Sequence, residues 1–207
     1  MLSAFIAGFF LIAVSELGDK TFFIAAILAM RHSRRLIFAA VVAALATMTV
    51  LSVLVGQVAS VFPPNYIYYA EITLFIGFGF KLLYDASQMP ANACDVEVVQ
   101  EAVDIIEKAE GSLPQQSNWA ICTEAFVLTF LAEWGDRTQI ATIALAAGNN
   151  PLGVTAGAIL GHALCAAIAV IGGRMLAGRI SEQALTIFGG CLFLLFGLMA
   201  WWEGPYA

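Results

Sequence analysis

The stretch Ser15-Glu16-Leu17-Gly18-Asp19-Lys20-Thr21 returns 117 residues later as Ala132-Glu133-Trp134-Gly135-Asp136-Arg137-Thr138. Each copy holds a glutamate and an aspartate at i, i+3, a spacing that puts both on one helix face. A glycine lies between them, and a base and a hydroxyl follow. Both copies sit inside long apolar runs. A charged residue at the centre of a membrane helix costs about 2.5–3.5 kcal/mol to insert, so three charges in each run are expensive to keep. An ion-pair network of these acids with Lys20 and Arg137 would gain little over an apolar core. The acids also outnumber the bases four to two. The pattern therefore points to a functional role for these charges at membrane depth rather than a purely structural one.

The rest of the chain supplies the membrane. It has 207 residues, of which 61% are hydrophobic and only 12% charged, and its mean hydropathy is +0.87. A soluble domain carries about a quarter charged residues, so lipid is the expected solvent. A crossing helix needs about 20 apolar residues. Stretches 2–30, 36–61, 66–86, 119–147, 152–176 and 182–202 qualify. The first and fourth are long enough to tilt or break. The expected fold class is an all-α integral membrane protein of six transmembrane helices. The apolar N-terminus lacks a basic leader and runs straight into Glu16 and Asp19, so it reads as the first helix rather than a signal peptide. Cys94, Cys122, Cys165 and Cys191 form no C-x-x-C pair and read as packing thiols. No basic patch suggests nucleic acid.

The repetition extends beyond the motif. The second and fifth stretches align at an offset of 116, which pairs Gly56 with Gly172. The third and sixth align at 113, which pairs Thr73, Phe75, Gly77 and Phe80 with Thr186, Phe188, Gly190 and Phe193. The expected organisation is a first three-helix repeat at 1–86, an acidic linker at 87–118 and a second repeat at 119–207. Three helices per repeat is an odd number, so the second copy enters from the opposite face, an arrangement that places a transporter's site near the midplane. Arg31, Arg34, Arg35, Lys81, Lys108, Arg174 and Arg179 all fall on one side if the termini share the other. The positive-inside rule makes that basic side cytoplasmic and both termini non-cytoplasmic. In the linker, Val96, Val99, Val103 and Ile106 recur at helical spacing among Glu97, Glu101, Asp104, Glu107 and Glu110. This predicts a short amphipathic acidic helix, with Asp95 as N-cap and Gly111 and Pro114 as stops. It reads as a solvated linker helix or as an electrostatic funnel for cations.

Glycine inside each acid pair permits local unwinding, which frees carbonyl oxygens for an ion. Gly18 and Gly135 could equally serve close helix packing. Ser15, Thr21, Thr138 and Gln139 add neutral oxygens nearby, or act as ordinary interhelical partners. Carboxylates, carbonyls and hydroxyls suit calcium, manganese or magnesium. His162, at membrane depth in the fifth stretch, could relay protons or simply pack against a carbonyl.

Glu16-Leu17-Gly18-Asp19-Lys20-Thr21 and Glu133-Trp134-Gly135-Asp136-Arg137-Thr138 together resemble the paired E-x-G-D-[KR]-[TS] signature. That signature marks a family of calcium/manganese–proton antiporters of the cation/calcium exchanger superfamily, with Golgi, bacterial, cyanobacterial and chloroplast members. The resemblance covers nearly the whole chain, and no motif position departs from it. It implies that Glu16, Asp19, Glu133 and Asp136 bind the transported cation, that protons are coupled, and that metal leaves the cytosol. It implies no resident cofactor; Mn2+ or Ca2+ is cargo. Gly18, Lys20, Thr21, Gly135, Arg137, Thr138, Gln139 and His162 are supporting candidates. The membrane is expected to be a bacterial inner membrane or a thylakoid. An intramembrane acid-dependent hydrolase and a passive divalent-cation channel are the competing readings. The duplication of each acid and the absence of a G-x-G-D arrangement weigh against a hydrolase. Dependence of flux on a proton gradient separates an exchanger from a channel.

Overall fold

The computed structural model describes residues 1–89, 96–110, 117–176 and 182–204. All regular structure among them is helical: α1 (Leu2–Ser15), α2 (Lys20–Arg31), α3 (Arg34–Ala59), α4 (Pro64–Gln88), α5 (Val96–Glu110), α6 (Asn118–Ala132), α7 (Arg137–Gly148), α8 (Pro151–Leu176) and α9 (Glu182–Glu203). Among the described residues, α3, α4, α8 and α9 are single helices long and apolar enough to cross a membrane. The pair α1 and α2 forms a fifth candidate span, bent by 68° at the first motif. α6 is apolar but short, and α7 follows it across the second motif. The first long stretch is thus two helices rather than one tilted rod. Its break falls at Gly18, where the backbone turns left-handed.

The breaks between elements have local causes. Pro64 sits in the first turn of α4, where its missing N–H costs nothing. Ser117 caps α6 by accepting from the Ala120 N–H at 3.3 Å. The linker helix forms as its periodicity predicts. Its Ala102 and Ile106 are fully buried in a cluster with α2, α3, α6 and α8, while Glu101 and Asp104 stay exposed. The expected cap Asp95 and stops Gly111 and Pro114 lie outside the described residues.

α3 and α8 form the middle of the bundle, with α1 along α8, α7 and α6 against α3, and α4 paired with α9. Tyr68 Oη donates to the Trp201 carbonyl at 3.0 Å, so the start of α4 meets the end of α9. Gln183 Nε2 donates to the Ala86 carbonyl at 3.0 Å at the opposite end of the same pair. Met1 lies against Gly153 at the start of α8, and Ser3, Asn149 and Gly204 line one cavity. The first and last described residues therefore share one end of the bundle, here termed the Asn149 end. Arg31, Arg34, Arg35 and α5 lie at the other, the Arg31 end. Large apolar side chains such as Leu54, Val58, Phe80, Leu160 and Leu195 are exposed on the outside. Exposed Tyr66, Tyr69, Trp201 and Trp202 ring the Asn149 end, while Tyr84 and Trp119 stand near the other. This is the distribution expected where amphipathic rings meet headgroups.

The α1–α8 seam depends on small residues. Gly153, Gly157 and Gly161 recur every four residues on α8, and a Cβ at any of them would collide with the α1 backbone. Without a hydrophobic drive between helices in lipid, such close backbone approach carries association. At Gly157 the obstacle is the Phe5 carbonyl, which cannot swing aside. At Gly189 the nearest atom, Leu82 Cδ1, would be 3.9 Å from a Cβ. Gly157→Leu should therefore lower the melting temperature in detergent sharply, by an overpacking cost of about 1–3 kcal/mol or more. Gly189→Ala should leave it nearly unchanged, and equal shifts would show that the seam is not the tight contact.

Candidate cation site

Each motif is a helix break of the same design. Glu16 ends α1 as its C-cap and Asp19 begins α2 as its N-cap, with Asp19 Oδ1 accepting from the Lys20 N–H at 2.7 Å. Glu133 ends α6 and Asp136 begins α7 in the same way. Asp136 Oδ2 accepts from the Thr138 N–H at 3.4 Å and from the Thr138 hydroxyl at 3.1 Å. The turn between the acids needs a left-handed residue: φ is +80° at Gly18 and +82° at Gly135. The consequence is electrostatic. The glutamates sit at the negative ends of α1 and α6, where a cation is favoured, and the aspartates are held at the positive ends of α2 and α7. The sequence reading placed each acid pair on one helix face. The structure instead unwinds the helix between them, so the two acids belong to different half-helices.

The two breaks meet. Single oxygens of Glu16, Asp19 and Asp136 lie within 4.8 Å of one another, close enough to share one cation. Glu133 is not in that triad, but the two motifs exchange partners across the bundle. Thr138 stands beside Glu16, and Thr21 beside Glu133. Thr21 also donates to Glu16 Oε2 at 3.3 Å. Arg137 reaches from the second motif to Asp19, with Nη2 3.8 Å from Oδ2. Glu16 and Glu133 are each only 2% exposed, and Oε1 of each has no hydrogen-bond partner. A buried carboxylate oxygen without a partner is costly. A cation or a proton is what such an oxygen lacks.

The supporting candidates are distributed around this centre. His162 is buried between two small cavities, one reaching Glu133 and Thr138 and the other reaching Glu16 and Thr21. Its Nδ1 has no partner, so it is not simply bonded to a carbonyl through that atom. Gln139 lines the cavity that reaches Glu133, and its side chain is engaged locally: its Oε1 accepts from the Gly135 N–H at 2.7 Å, and its Nε2 approaches Met48 Sδ at 3.0 Å. It braces the turn. Ser15 is buried with a hydroxyl lacking a partner. Cys165 lines the Glu16 cavity and meets the Ala13 carbonyl at 3.4 Å. A cavity of about 90 Å³ leads from Asp19 and Arg137 past Thr186 to Asp85 and Met89 at the Arg31 end of α4. Asp85 was not among the sequence candidates; its signal is an acid one turn after Lys81 near the end of α4.

The surroundings of the two breaks differ. Gly18 is covered by Leu185 of α9, whereas Gly135 has no atom within 4 Å of where a Cβ would stand. Neighbouring Trp134 and Leu131 are 63% and 62% exposed.

This constellation of paired acids at facing helix breaks within an apolar bundle defines a cation-binding membrane protein. The chain belongs to the family described as Divalent cation/proton antiporter GDT1, whose sequence profile matches residues 4–90 and again residues 121–207. The two matches stand at the same offset, 117, as the two motifs. A GDT1-like protein of Synechocystis is 58% identical over 203 residues, covering 98% of each chain. GDT1-like protein 4 of Oryza sativa subsp. indica is 41% identical over 99% of this chain and 75% of its own length. The chloroplastic PAM71-homolog of Arabidopsis thaliana is 41% identical over 94% of this chain and 58% of its own length. No solved structure matches.

The left-handed turns give a stability prediction. Gly135→Ala meets open space, so it should cost only the backbone strain of a Cβ at positive φ, about 1–2 kcal/mol. Gly18→Ala adds a Cβ 2.7 Å from Leu185 Cδ1 and should cost more. Thermal unfolding in detergent should rank wild type above G135A and G135A above G18A. An inverted order of the two variants would contradict the geometry.

Proposed function

We propose that this antiporter exchanges Mn2+ or Ca2+ for protons and exports the metal from the cytosol. It does so through one site shared by two inverted three-helix repeats. The observation that carries the reading is the convergence of Glu16 and Asp19 from one motif with Asp136 from the other within a single ligand sphere. In this arrangement α1–α2, α3 and α4 correspond to α6–α7, α8 and α9, which makes α6–α7 the sixth crossing. The duplicate match to one family profile at the motif offset supports the repeat. An all-oxygen donor set of carboxylates and hydroxyls supports a hard divalent ion. On the positive-inside reading the Arg31 end is cytoplasmic, and the cavity past Asp85 serves as the loading route. Membership of chloroplastic proteins among the relatives favours a thylakoid or an equivalent energised bacterial membrane.

Coupling follows from charge. Four ionised acids against Lys20 and Arg137 leave two negative charges in a low-dielectric site. One divalent cation neutralises them, and so do two protons. Residual buried charge is costly, so the metal-loaded and doubly protonated forms reorient while the empty, ionised form does not. Glu133 and His162 form the inner wall through which protons reach Glu16. The cycle exchanges one metal for two protons and moves no net charge.

Two experiments test this. In proteoliposomes with an imposed pH gradient and Mn2+, Ca2+ and Mg2+ compared in parallel, Glu16→Gln or Asp136→Asn alone should abolish exchange. Half the wild-type rate in either variant would mean two separable sites. With the voltage clamped by potassium and valinomycin, flux should not respond to membrane potential, and a steep response would exclude the two-proton count.

The acidic face of α5 supplies a further expectation. Glu101 and Asp104 are exposed at the Arg31 end, and charges there are screened within about 8–10 Å at physiological salt. Neutralising Glu97, Glu101 and Asp104 together should raise the apparent KM at low ionic strength and leave maximal flux nearly unchanged. Loss of transport in the folded triple variant would assign α5 a role in the reaction itself.

A further inference from the structure

Arg137 is poorly served where it stands. Its Nη2 lies 3.8 Å from Asp19 Oδ2, beyond hydrogen-bonding distance. Its Nε is buried and has no hydrogen-bond partner. A guanidinium carries five N–H donors in a rigid fork, and the contact with Asp19 uses little of that capacity. Buried donors without acceptors are costly.

An acceptor lies in the same cavity. Asp85, near the end of α4, lines the space of about 90 Å³ that also reaches Asp19 and Arg137. It is partly buried, and among the described residues it has neither a hydrogen bond nor an ion pair. Lys81, one turn before it on α4, is exposed and makes no ion pair with it. Arg137 is the one base among the described residues that line this cavity. The Ser15 hydroxyl on the same wall is buried and likewise without a partner.

The two halves differ in both groups. At the motif offset of 117, Arg137 corresponds to Lys20, and at the α4–α9 offset of 113, Asp85 corresponds to Leu198. Arginine therefore stands in the copy whose base shares a cavity with an extra acid, and lysine in the copy where the matching residue is apolar. A guanidinium pairs with a carboxylate in a two-pronged geometry that an ammonium cannot make.

Cation binding brings these facts together. Asp19 is one of three acids whose oxygens lie close enough to share one cation. A dication held by Asp19 stands beside a guanidinium that is already 3.8 Å from that carboxylate. Like charges at such range repel strongly in an apolar bundle. We propose that Asp85 is the receiving partner of Arg137: the guanidinium leaves Asp19 when the cation binds there and pairs with the Asp85 carboxylate across the cavity. Asp85 is then a positioning residue, which acts through Arg137 and does not touch the ion. The pairing also leaves Arg137 behind the ion, in the route by which it arrived. Both charged groups stay in the protein, so the balance of one metal against two protons is unchanged. The inference rests on the reading that the motif acids hold the transported ion.

The test is a double-mutant cycle, read by equilibrium dialysis of the purified full-length protein in detergent against radioactive Mn2+. Asp85→Asn leaves the displaced guanidinium without its carboxylate and should weaken binding about tenfold, the scale of one charge-assisted hydrogen bond. Asp85→Glu keeps the charge and should restore most of the affinity. In Arg137→Gln no guanidinium needs a new partner, so adding Asp85→Asn should change the affinity by no more than about twofold. Arg137→Met serves as the background where Arg137→Gln does not yield folded protein. An equal loss on Asp85→Asn with and without Arg137 would mean that Asp85 attracts or binds the ion itself, and would overturn the pairing. An unchanged affinity in Asp85→Asn alone overturns it as well. Glu16→Gln/Asp136→Asn separates the two readings, since it should lose Mn2+ binding with or without Asp85. Binding retained in that variant refutes the shared motif site, and the displacement of Arg137 falls with it.

Discussion

Everything in this bundle answers to one constraint: several carboxylates must be kept together in a place where water cannot solvate them. Coulomb repulsion between acids whose oxygens lie within 4.8 Å is severe when the surroundings are apolar. The chain manages it with main-chain electrostatics. Breaking each helix between its two acids gives each aspartate a positive helix start, while each glutamate, at a negative helix end, gains no such relief. Arg137 crosses to Asp19, so part of the compensation for one motif comes from the other. The rest is left undone. Glu16 and Glu133 each keep an oxygen that is buried and without a partner. An apolar core of this kind tolerates such oxygens only if a cation or proton arrives. On the proposed antiport, a cation or a proton supplies what these oxygens lack.

The break itself depends on glycine, and its consequence reaches the fold. A left-handed residue at Gly18 bends α1 against α2 by 68°. The bend lets α1 run along one part of α8 while α2 packs on α8 and also meets α3, α5 and α6. The glycine ladder on α8 then brings α1 within backbone contact, holding Ser15 and Glu16 at a fixed depth. On the other side, Gln139 ties the Gly135 turn to Met48 of α3. Rigid elements flank both breaks, so the acids are positioned by packing rather than by flexible loops.

Much of this was legible in the sequence. Apolar length located the long helices to within a few residues, because the bilayer imposes a minimum span that few soluble patterns reach. The motif acids were legible because charge in an apolar run is rare and costly. The periodicity of Val99, Val103 and Ile106 located the linker helix, and Ile106 is indeed fully buried. The helical reading of the acid pairs was less informative. An i, i+3 spacing suggested one continuous face, but the glycine between the acids outweighed helix propensity, and the pair straddles a turn. Gln139 was named from its proximity in sequence, and the structure adds that its carbonyl accepts from the Gly135 N–H and that it lines the cavity reaching Glu133. Asp85 and Glu71 were not singled out by the sequence. Each is a lone acid near a helix end, a common and usually solvated arrangement, and only tertiary packing reveals that each lines a cavity.

The two halves repeat the chemistry of the site but not of its approaches. At the centre, Thr138 of one motif stands beside Glu16 of the other, and Thr21 beside Glu133. Away from the centre the correspondence fails. Leu185 covers Gly18 while Gly135 stands open. Asp85 lines one approach where the matching residue at an offset of 113 is Leu198. Arg31 ends one half-helix where Gly148 ends the other. On the inverted-repeat reading, perfect symmetry would present identical mouths to both sides of the membrane. A proton gradient alone would then set direction. Sequence differences confined to the mouths leave the shared ligand sphere intact and still make the two sides chemically distinct. On the proposed cycle, divergence at the centre would split one site into two unequal ones and lose the charge balance that couples metal to protons. The chemistry the two copies share lies at the motif acids, and their differences lie at the approaches.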